Sequence, residues 1–283
     1  MSKMLIVTDT TSAMNLELSK KYGIELVPLN IIINGKVFKD QYDIDNETLY
    51  QKLRDGLVPT TSQPSTGYIM ERMEEWKQHD YDTILVLTTS SDLTGTNHGF
   101  HLAKEEMNMK NVLIVDTRSV GAPVMDGAIA AKAYADAGKS IEEILVMLDK
   151  KFQNTFSFLY PRDLVQLRKG GRLSPLAATM AGLLKIKPLL YLKEGGTCVD
   201  KFGIARTDGK IIQMGVDKFK ELNIDALTHR IYISHACNEA GAKRVEGVLK
   251  ALFNDIDVVI VELPSVLVCH GGLGCISVQS TYK

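Results

Sequence analysis

The chain begins with short apolar runs separated by longer segments of mixed polarity. β-Branched runs occupy 4–7, 83–87 and 112–115, and polar residues follow each of them. Segments 67–76 and 126–137 instead carry apolar or alanine residues at helical spacing. Strands that alternate with helices in this way predict βαβ units, and hence a parallel sheet covered by helices.

Two local signals refine this pattern. The segment 26–37 is rich in Ile and Val and contains Asn34-Gly35, which predicts a β-hairpin that extends off the main sheet. Ser140 and Glu143 have the spacing of a capping box, in which the serine accepts a backbone N–H and the glutamate reaches back. A helix is therefore predicted from Ser140 to about Lys151.

The second half of the chain predicts another set of strands and helices. A chain of 283 residues is long enough for two packed lobes. We predict an N-terminal α/β lobe with a parallel sheet over 1–155 and a C-terminal α+β lobe over 156–283. The predicted strands of the second lobe are 156–159, 189–192, 231–234 and 258–262, and its predicted helices are 209–222 and 240–253.

Composition narrows the classes of function. The chain has 33 basic and 34 acidic residues and a net charge of −1, which argues against the basic face of a nucleic-acid binder. The first apolar run ends at Thr8, and no stretch approaches the ~20 apolar residues that span a bilayer. We therefore expect a cytoplasmic protein without an integral membrane segment and without a nucleic-acid partner.

Cysteine and histidine spacing gives no sign of a disulfide framework or a metal site. The four cysteines form no C-x-x-C pair, which favours buried free thiols. His98 and His101 are three residues apart, but no acidic or thiol partner lies beside them, so no metal is expected. Gly138-Lys139-Ser140 lacks the first glycine of a P-loop, and a G-x-G-x-x-G motif is absent. We expect no nucleotide cofactor.

Two hydroxyl-rich loops are the first candidate binding elements. The loop 88–96 follows the strand 83–87, and the loop 60–65 precedes a predicted helix. Ligands of open parallel sheets bind where strands end and helices begin, and hydroxyl and amide donors suit a carboxylate. The alternative is that these Ser and Thr residues are ordinary helix N-caps. The candidate ligands in the two loops are Thr61, Ser62, Ser91, Thr94 and Gly95.

Two further segments combine glycine with a polar side chain. His270-Gly271-Gly272 follows an apolar stretch, and glycines leave backbone N–H groups open to a ligand. The segment 164–174 has a helical apolar pattern that runs into a Gly-Gly turn and Arg172, and a buried strand is predicted over 183–190. The alternative for His270 is an ordinary core histidine. The turn that ends in Arg172 is either a solvated turn or a loop that faces an anion with its guanidinium.

Taken together, these motifs closely resemble the DegV family of fatty-acid-binding proteins. They are V-T-D-T-T-S at 7–12, T-S-Q-P at 61–64, S-S-D-L-T-G-T at 90–96, L-V-Q-L-R-K-G-G-R-L-S at 164–174 and H-G-G-L-G at 270–274. The resemblance implies two lobes that enclose one long-chain fatty acid in a tunnel. It also implies that Thr61, Ser62, Ser91, Thr94, Gly95, His270 and Gly271 hold the carboxylate. Leu273 replaces a proline that is common in relatives, and Thr94 replaces a serine.

The resemblance further implies a role beside an enzyme rather than as one. Bacterial relatives are the binding subunit of a fatty acid kinase in phospholipid metabolism, and they present the carboxyl to a separate ATP-binding subunit that makes acyl-phosphate. Positions matching Arg172 and Arg206 serve phosphorylation and partner docking there. Besides the bound fatty acid no cofactor is expected. Tunnel width would depend on side chains such as Ile31, Met125 and Leu183.

Two other functions compete with this one. A lipid hydrolase would use His270-Gly271-Gly272 as an oxyanion loop, with Ser91 or another unmarked serine as nucleophile, although G-x-S-x-G is absent. A protein–protein interaction module is the third hypothesis, and no motif in the sequence favours it.

Overall fold

The computed structural model describes residues 3–162, 164–179 and 186–283. In chain order its first half contains β1 (Met4–Asp9), α1 (Leu16–Tyr22), β2 (Glu25–Val27), β3 (Asn30–Ile33), β4 (Lys36–Lys39), α2 (Asn46–Arg54), β5 (Thr60–Ser62), α3 (Thr66–Lys77), β6 (Thr83–Thr88), α4 (Thr96–Glu106), β7 (Val112–Asp116), α5 (Ala122–Asp136) and α6 (Ile141–Gln153). The second half contains β8 (Phe156–Tyr160), α7 (Leu164–Lys169), α8 (Pro175–Ala178), β9 (Lys187–Leu192), β10 (Val199–Ala205), α9 (Asp208–Glu221), β11 (His229–His235), α10 (Glu239–Leu252), β12 (Asp257–Glu262), α11 (Ser265–Gly271) and β13 (Ile276–Tyr282).

A parallel sheet organises the first half, as the strand and helix pattern predicts. Its strand order is β2-β1-β6-β7, and all three pairings are parallel. The predicted helices 67–76 and 126–137 correspond to α3 and α5, and the capping box of Ser140 and Glu143 begins α6. Because the strands are parallel, the residues after β1, β6 and β7 meet at one edge of the sheet.

The predicted hairpin is present but begins later than expected. β3 and β4 pair around Asn34 and Gly35, whose φ angles of 50° and 79° fit a tight mirror-image turn. β5 pairs with the other side of β3, which makes a separate three-stranded sheet. The prediction was wrong for Leu26 and Val27, which belong to β2 of the parallel sheet. Pro28 explains the break, because it has no N–H to continue a ladder.

A six-stranded mixed sheet organises the second half. Its order is β10-β9-β8-β13-β11-β12, with β11 and β12 parallel and the other pairs antiparallel. The apolar core against α9 and α10 lies on one face. The other face contacts α5 and α6, and α5 also contacts β1 and β6. The Ala-rich helix α5 thus packs between the two sheets.

The fold class is therefore confirmed as α/β, with a parallel-sheet lobe and a mixed-sheet lobe. The division at residue 155 stays a prediction. Part of the predicted strand 183–190 and the tunnel candidate Leu183 lie outside the described residues, and β9 begins at Lys187. All four cysteines are free, as predicted, but Cys237 is exposed and Cys198 is half-buried. Within the described ranges, no helix combines the length and apolarity that a bilayer crossing requires.

Candidate functional site

A cavity of about 320 Å³ lies where the two lobes meet. Most of its wall is apolar, and Leu residues from both lobes contribute, among them Leu29, Leu93, Leu159, Leu192, Leu263 and Leu267. The polar part consists of hydroxyl, amide and imidazole groups. Among the described lining residues none is acidic, and Arg172 is the one with a permanent positive charge. This composition suits a ligand with a long apolar part and one polar or anionic group.

The pair of Thr61 and His270 forms the centre of the polar end. β5 places Thr61 beside α11, which carries His270 in its last turn. The hydroxyl of Thr61 lies 2.8 Å from Nε2 of His270. Both residues line the cavity, so a strand and a helix that are far apart in sequence meet at one point.

His270 is neutral near pH 7. Burial and, to a smaller extent, the positive charge of Arg172 together lower the pKa of its imidazole to about 4. Which ring nitrogen carries the hydrogen is not fixed by the positions of the heavy atoms. When the hydrogen is on Nε2, the ring donates to Thr61 and the Thr61 hydroxyl is free to donate to a ligand, without a buried charge.

Gly170 explains how His270 is held in place. A Cβ at Gly170 would lie 2.3 Å from Nδ1 and 3.2 Å from Cε1 of His270. The Gly-Gly turn after α7 therefore packs directly against the imidazole, and only glycine leaves the space. Gln166 on α7 adds a hydrogen bond of 2.8 Å to the carbonyl of Cys269. α7 and α11 thus fix the ring from the side opposite Thr61.

The second hydroxyl loop reaches the cavity through Thr94 and Gly95. Gly95 precedes α4, and no side chain among the described residues caps this helix. The Gln63 side chain lies over Gly95, because its Oε1 is 1.6 Å from the position of a Cβ there. The N-cap alternative holds for Ser65, which accepts a hydrogen bond from the Tyr68 amide. It does not hold for Thr94, whose hydroxyl pairs with that of Thr96.

The other predicted residues divide between the cavity and the surface. Ser62, Gly271 and Arg172 line the cavity, and Arg172 Nε donates to the carbonyl of Leu93 at 3.0 Å. Ser91 and Arg206 are exposed and do not line it. The hydroxyl of Ser91 instead donates to Asp116 at 2.6 Å. Their predicted roles in ligand and partner binding stay predictions.

Sequence reasoning missed several polar residues of the cavity wall. Thr11 and Thr89 lie at the edge of the parallel sheet, and Ser157, Ser277 and Gln279 lie on the mixed sheet. Gln279 is fully used within the protein, since Nε2 donates to Val120 and Ser157 and Oε1 accepts from Ala122. The sequence did contain a signal for Thr11. The motif V-T-D-T-T-S begins within β1 and continues past its end, at the same sheet edge as the loop 88–96.

The hydrolase hypothesis requires a serine hydrogen-bonded to His270. The structure shows Thr61 in that position, and it shows Ser91 bonded to Asp116. In the described part of the chain, no group of three or more His, Cys, Asp or Glu side chains is arranged to hold a metal ion.

Fold and cavity together define a two-lobed α/β protein with a largely apolar cavity at the lobe interface. A family model described as an uncharacterised protein of the DegV family matches residues 3–283. The chain is 32% identical over 277 residues to a DegV domain-containing protein of Clostridium acetobutylicum, covering 96% of this chain and 95% of the relative. It is 30% identical over 279 residues to a fatty acid-binding protein of Thermotoga maritima, covering 97% and 96%.

A solved structure extends the likeness to three dimensions. The fatty-acid-binding DegV family protein of Thermus thermophilus superposes with a TM-score of 0.89 at 28% identity, over 99% of this chain and 100% of that one. The chain belongs to the DegV family.

Proposed function

We propose that the protein binds one long-chain fatty acid in the cavity between its lobes, with the carboxylate at the Thr61–His270 end. The observation that carries this proposal is a largely apolar cavity in which a neutral histidine and a threonine hydroxyl meet at 2.8 Å. Thr94, Gly95, Ser62 and Gly271 are further candidate ligands of the carboxylate. Arg172 supplies the positive charge nearest to them.

Energetics support such a ligand. At about 0.8 kcal/mol per buried CH₂, a chain of roughly sixteen carbons contributes on the order of 12 kcal/mol before the costs of binding. Hydrogen bonds to a charged group add about 1.5–3 kcal/mol each. The tail thus gives most of the affinity, and the polar end fixes the direction of the ligand. The relatives from Thermotoga maritima and Thermus thermophilus, both described as binding fatty acids, support the same ligand class.

The first test removes one hydroxyl. We expect Thr61→Val to weaken palmitate binding by about tenfold or more, since a hydrogen bond to a carboxylate is lost. Thr60→Val is the matched control, because Thr60 is exposed on the same strand and does not line the cavity. Calorimetry on lipid-free protein measures both affinities, and mass spectrometry of extracted lipid identifies the natural ligand. Equal affinities of the two variants would contradict the site.

We further propose that the protein is not an enzyme alone and presents the carboxylate to a separate, cytoplasmic fatty acid kinase. Arg172 at the cavity and the exposed Arg206 are the candidate contacts for phosphate and partner. A guanidinium suits an acyl-phosphate, because the product carries more negative charge than the acid.

The kinase step has its own test. Arg172→Ala and Arg206→Ala should reduce acyl-phosphate formation by a kinase subunit at least tenfold while palmitate still binds, because the fatty acid tail supplies most of the affinity. Arg244→Ala, on the exposed part of α10, is the control. Unchanged acyl-phosphate formation in both test variants would refute their roles.

A further inference from the structure

A buried carboxylate lies behind the cavity wall. Asp9 ends β1 and has no exposed surface. Its Oδ1 accepts the backbone N–H of Thr11 at 2.9 Å, and its Oδ2 accepts the backbone N–H of Thr89 at 3.1 Å. Thr11 and Thr89 both line the cavity, whereas Asp9 does not. Asp9 therefore holds two lining residues from the side that faces away from the ligand.

A chain of hydroxyl groups connects Asp9 to Thr89. The hydroxyl of Thr11 is hydrogen-bonded both to Oδ1 of Asp9 and to the hydroxyl of Thr89. Each hydroxyl has one hydrogen to donate. An ionised Asp9 can only accept, so it fixes one direction of the chain, whereas a protonated Asp9 allows the other.

The two protonation states present different groups to the cavity. When Asp9 is ionised, Thr11 donates to it and Thr89 donates to Thr11, so Thr89 has only lone pairs left. When Asp9 is protonated, its O–H donates to Thr11, Thr11 donates to Thr89, and the hydrogen of Thr89 becomes free. A carboxylate ligand only accepts hydrogen bonds, and the second arrangement gives it a donor without breaking the hydrogen bond between Thr11 and Thr89.

Electrostatics favour the same arrangement. Over 3–162, 164–179 and 186–283, no Lys, Arg or His forms an ion pair with Asp9. Burial raises the pKa of Asp9, and this outweighs the opposing hydrogen bonds from Thr11 and Thr89. An anionic head group in the cavity would place a second negative charge near Asp9, which favours the protonated form further.

We propose that Asp9 is protonated in the ligand-bound protein and, through Thr11, turns the Thr89 hydroxyl toward an anionic lipid head group. This rests on the proposed function, because it takes the head group to be a fatty acid carboxylate in this cavity. Asp9 is then a positioning residue that acts through Thr89 without touching the ligand. It also gives a role to V-T-D-T-T-S, a motif that the carboxylate site does not otherwise use.

Other ionisable groups surround this cluster and must be separated from Asp9 in a test. Two of them are already engaged: Asp116 accepts from Ser91, and Asp126 pairs with Lys151. Two remain as alternative sites for a proton, Asp40 and His270. The ionisable residues to be considered on the surrounding elements are Asp40, Asp116, Arg118, Asp126, His270 and Arg172.

Infrared difference spectroscopy tests the protonation directly. Laurate labelled with ¹³C at its carboxyl group serves as ligand, so that its own band is displaced from those of the protein. We expect the laurate-bound wild type at about pH 7 to show a protonated-carboxyl band that Asp9→Asn lacks, since burial disfavours the charged form. The band should persist in Asp40→Asn and His270→Gln. Its absence from the wild type, or its persistence in Asp9→Asn, overturns the proposal.

A double-mutant cycle tests the hydroxyl chain without changing Asp9. Thr89→Val and Thr11→Val should each weaken laurate binding roughly tenfold, and the double variant should lose no more than either one. Thr8→Val is the control, because Thr8 is buried on β1 but bonds Leu87 and does not line the cavity. Wild-type affinity in Thr89→Val, or fully additive losses, overturns the proposal.

These outcomes can be told apart from a failure of the proposed function. If the wild type does not bind laurate or palmitate, both the proposed function and the role of Asp9 are refuted. If it binds laurate but Asp9 is ionised, only the role of Asp9 is refuted.

Discussion

Two regions join the lobes, and their polar side chains differ. One region pairs charged groups with each other, and the other is lined mainly by uncharged groups. In the ion-pair cluster, Asp126 on α5 accepts from Lys151 Nζ at 2.6 Å, from Tyr232 at 2.6 Å and from Arg230 at 3.2 Å. Lys151 also donates to the carbonyl of Tyr282. The wall of the cavity has no such pair among the described residues, and its polar groups are hydroxyls, amides, one neutral imidazole and the guanidinium of Arg172.

The difference indicates what each region contributes. In the ion-pair cluster every charge is satisfied within the protein, which fixes α5 and α6 against β11 and leaves no bonding capacity for a ligand. In the cavity the polar groups other than Arg172 are uncharged, so their burial costs less than the burial of charges. Those that are not fully hydrogen-bonded within the protein can still bond a ligand in the cavity. The polar groups of the ion-pair cluster, which holds the lobes together, thus bond to each other. Polar groups of the cavity wall keep hydrogen-bonding capacity for a ligand.

The largest expected effect comes from breaking the ion-pair cluster. Lys151→Met should lower the free energy of unfolding by about 3–5 kcal/mol, because it leaves Asp126 buried without its closest cation. Urea unfolding followed by circular dichroism measures the change. Lys139→Met is the control, since the Lys139–Glu143 pair is exposed and screened by solvent, so its loss should change stability little. Equal effects of the two substitutions would mean that the cluster does not hold the lobes.

A change at the cavity should affect binding rather than stability. Gly170→Ala places a methyl group where the His270 ring lies, so the ring must move away from Thr61. We expect palmitate affinity to fall about tenfold to a hundredfold, the equivalent of one charge-assisted hydrogen bond. Calorimetric titration measures it.

Gly247→Ala is the control for this substitution. Gly247 lies on α10, and nothing is within 4 Å of its added Cβ. Alanine there should leave affinity unchanged and stabilise the helix by about 0.5–1 kcal/mol. Unaltered binding in Gly170→Ala would show that the position of His270 does not matter.

Asp40 is a buried acid that belongs neither to the ion-pair cluster nor to the cavity wall. Its titration should make the stability of the protein depend on pH. Thr10, Ser265 and the Val266 amide are its neighbours, yet neither carboxylate oxygen has a described partner in hydrogen-bond geometry. Burial raises the pKa of Asp40 to about 7, above the value near 3.8 in the unfolded chain. Because the folded state binds the proton more tightly, this group costs stability as pH rises from about 4 to 7.

The test is Asp40→Asn at two pH values. The variant should be about 1–2 kcal/mol more stable than the wild type at pH 8 and nearly equal to it at pH 4. Chemical unfolding at both values measures the difference. His270, with its lowered pKa, contributes an opposite slope, in which stability falls as pH drops from 6.5 toward 4. That slope is common to both proteins and cancels in the comparison.

The sequence predicted the strands of the parallel sheet better than β13, an inner strand of the six-stranded mixed sheet. β1, β6 and β7 contain short apolar runs rich in β-branched residues that alternate with helical segments, so the pattern identified them. β13 was not predicted, although it lies between β8 and β11, because Ser277, Gln279, Ser280 and Thr281 make it look like a polar segment. These side chains are buried, and Gln279 finds its partners only in the folded chain.

The candidate site divides along similar lines. Motifs located Thr61, Thr94 and His270, but the contact between Thr61 and His270 joins residues 209 positions apart and depends on tertiary structure. Thr89 lies in the predicted loop 88–96 but was not singled out, and Asp9, which lies behind the wall, was not predicted to contribute, for the same reason. Their hydrogen bond follows from the parallel register of β1 and β6, which sequence periodicity alone does not give.

The smallest expected effect comes from comparing two residues of one loop, of which only one lines the cavity. Ser91 and Thr94 belong to the same motif, but Thr94 lines the cavity whereas exposed Ser91 donates to Asp116. Ser91→Ala should therefore change palmitate affinity less than about twofold, while Thr94→Val should weaken it several-fold. Parallel titrations of the two variants measure the contrast. An equal loss in both would mean that Ser91 leaves Asp116 when the ligand binds, and that the whole loop rearranges to hold the carboxylate.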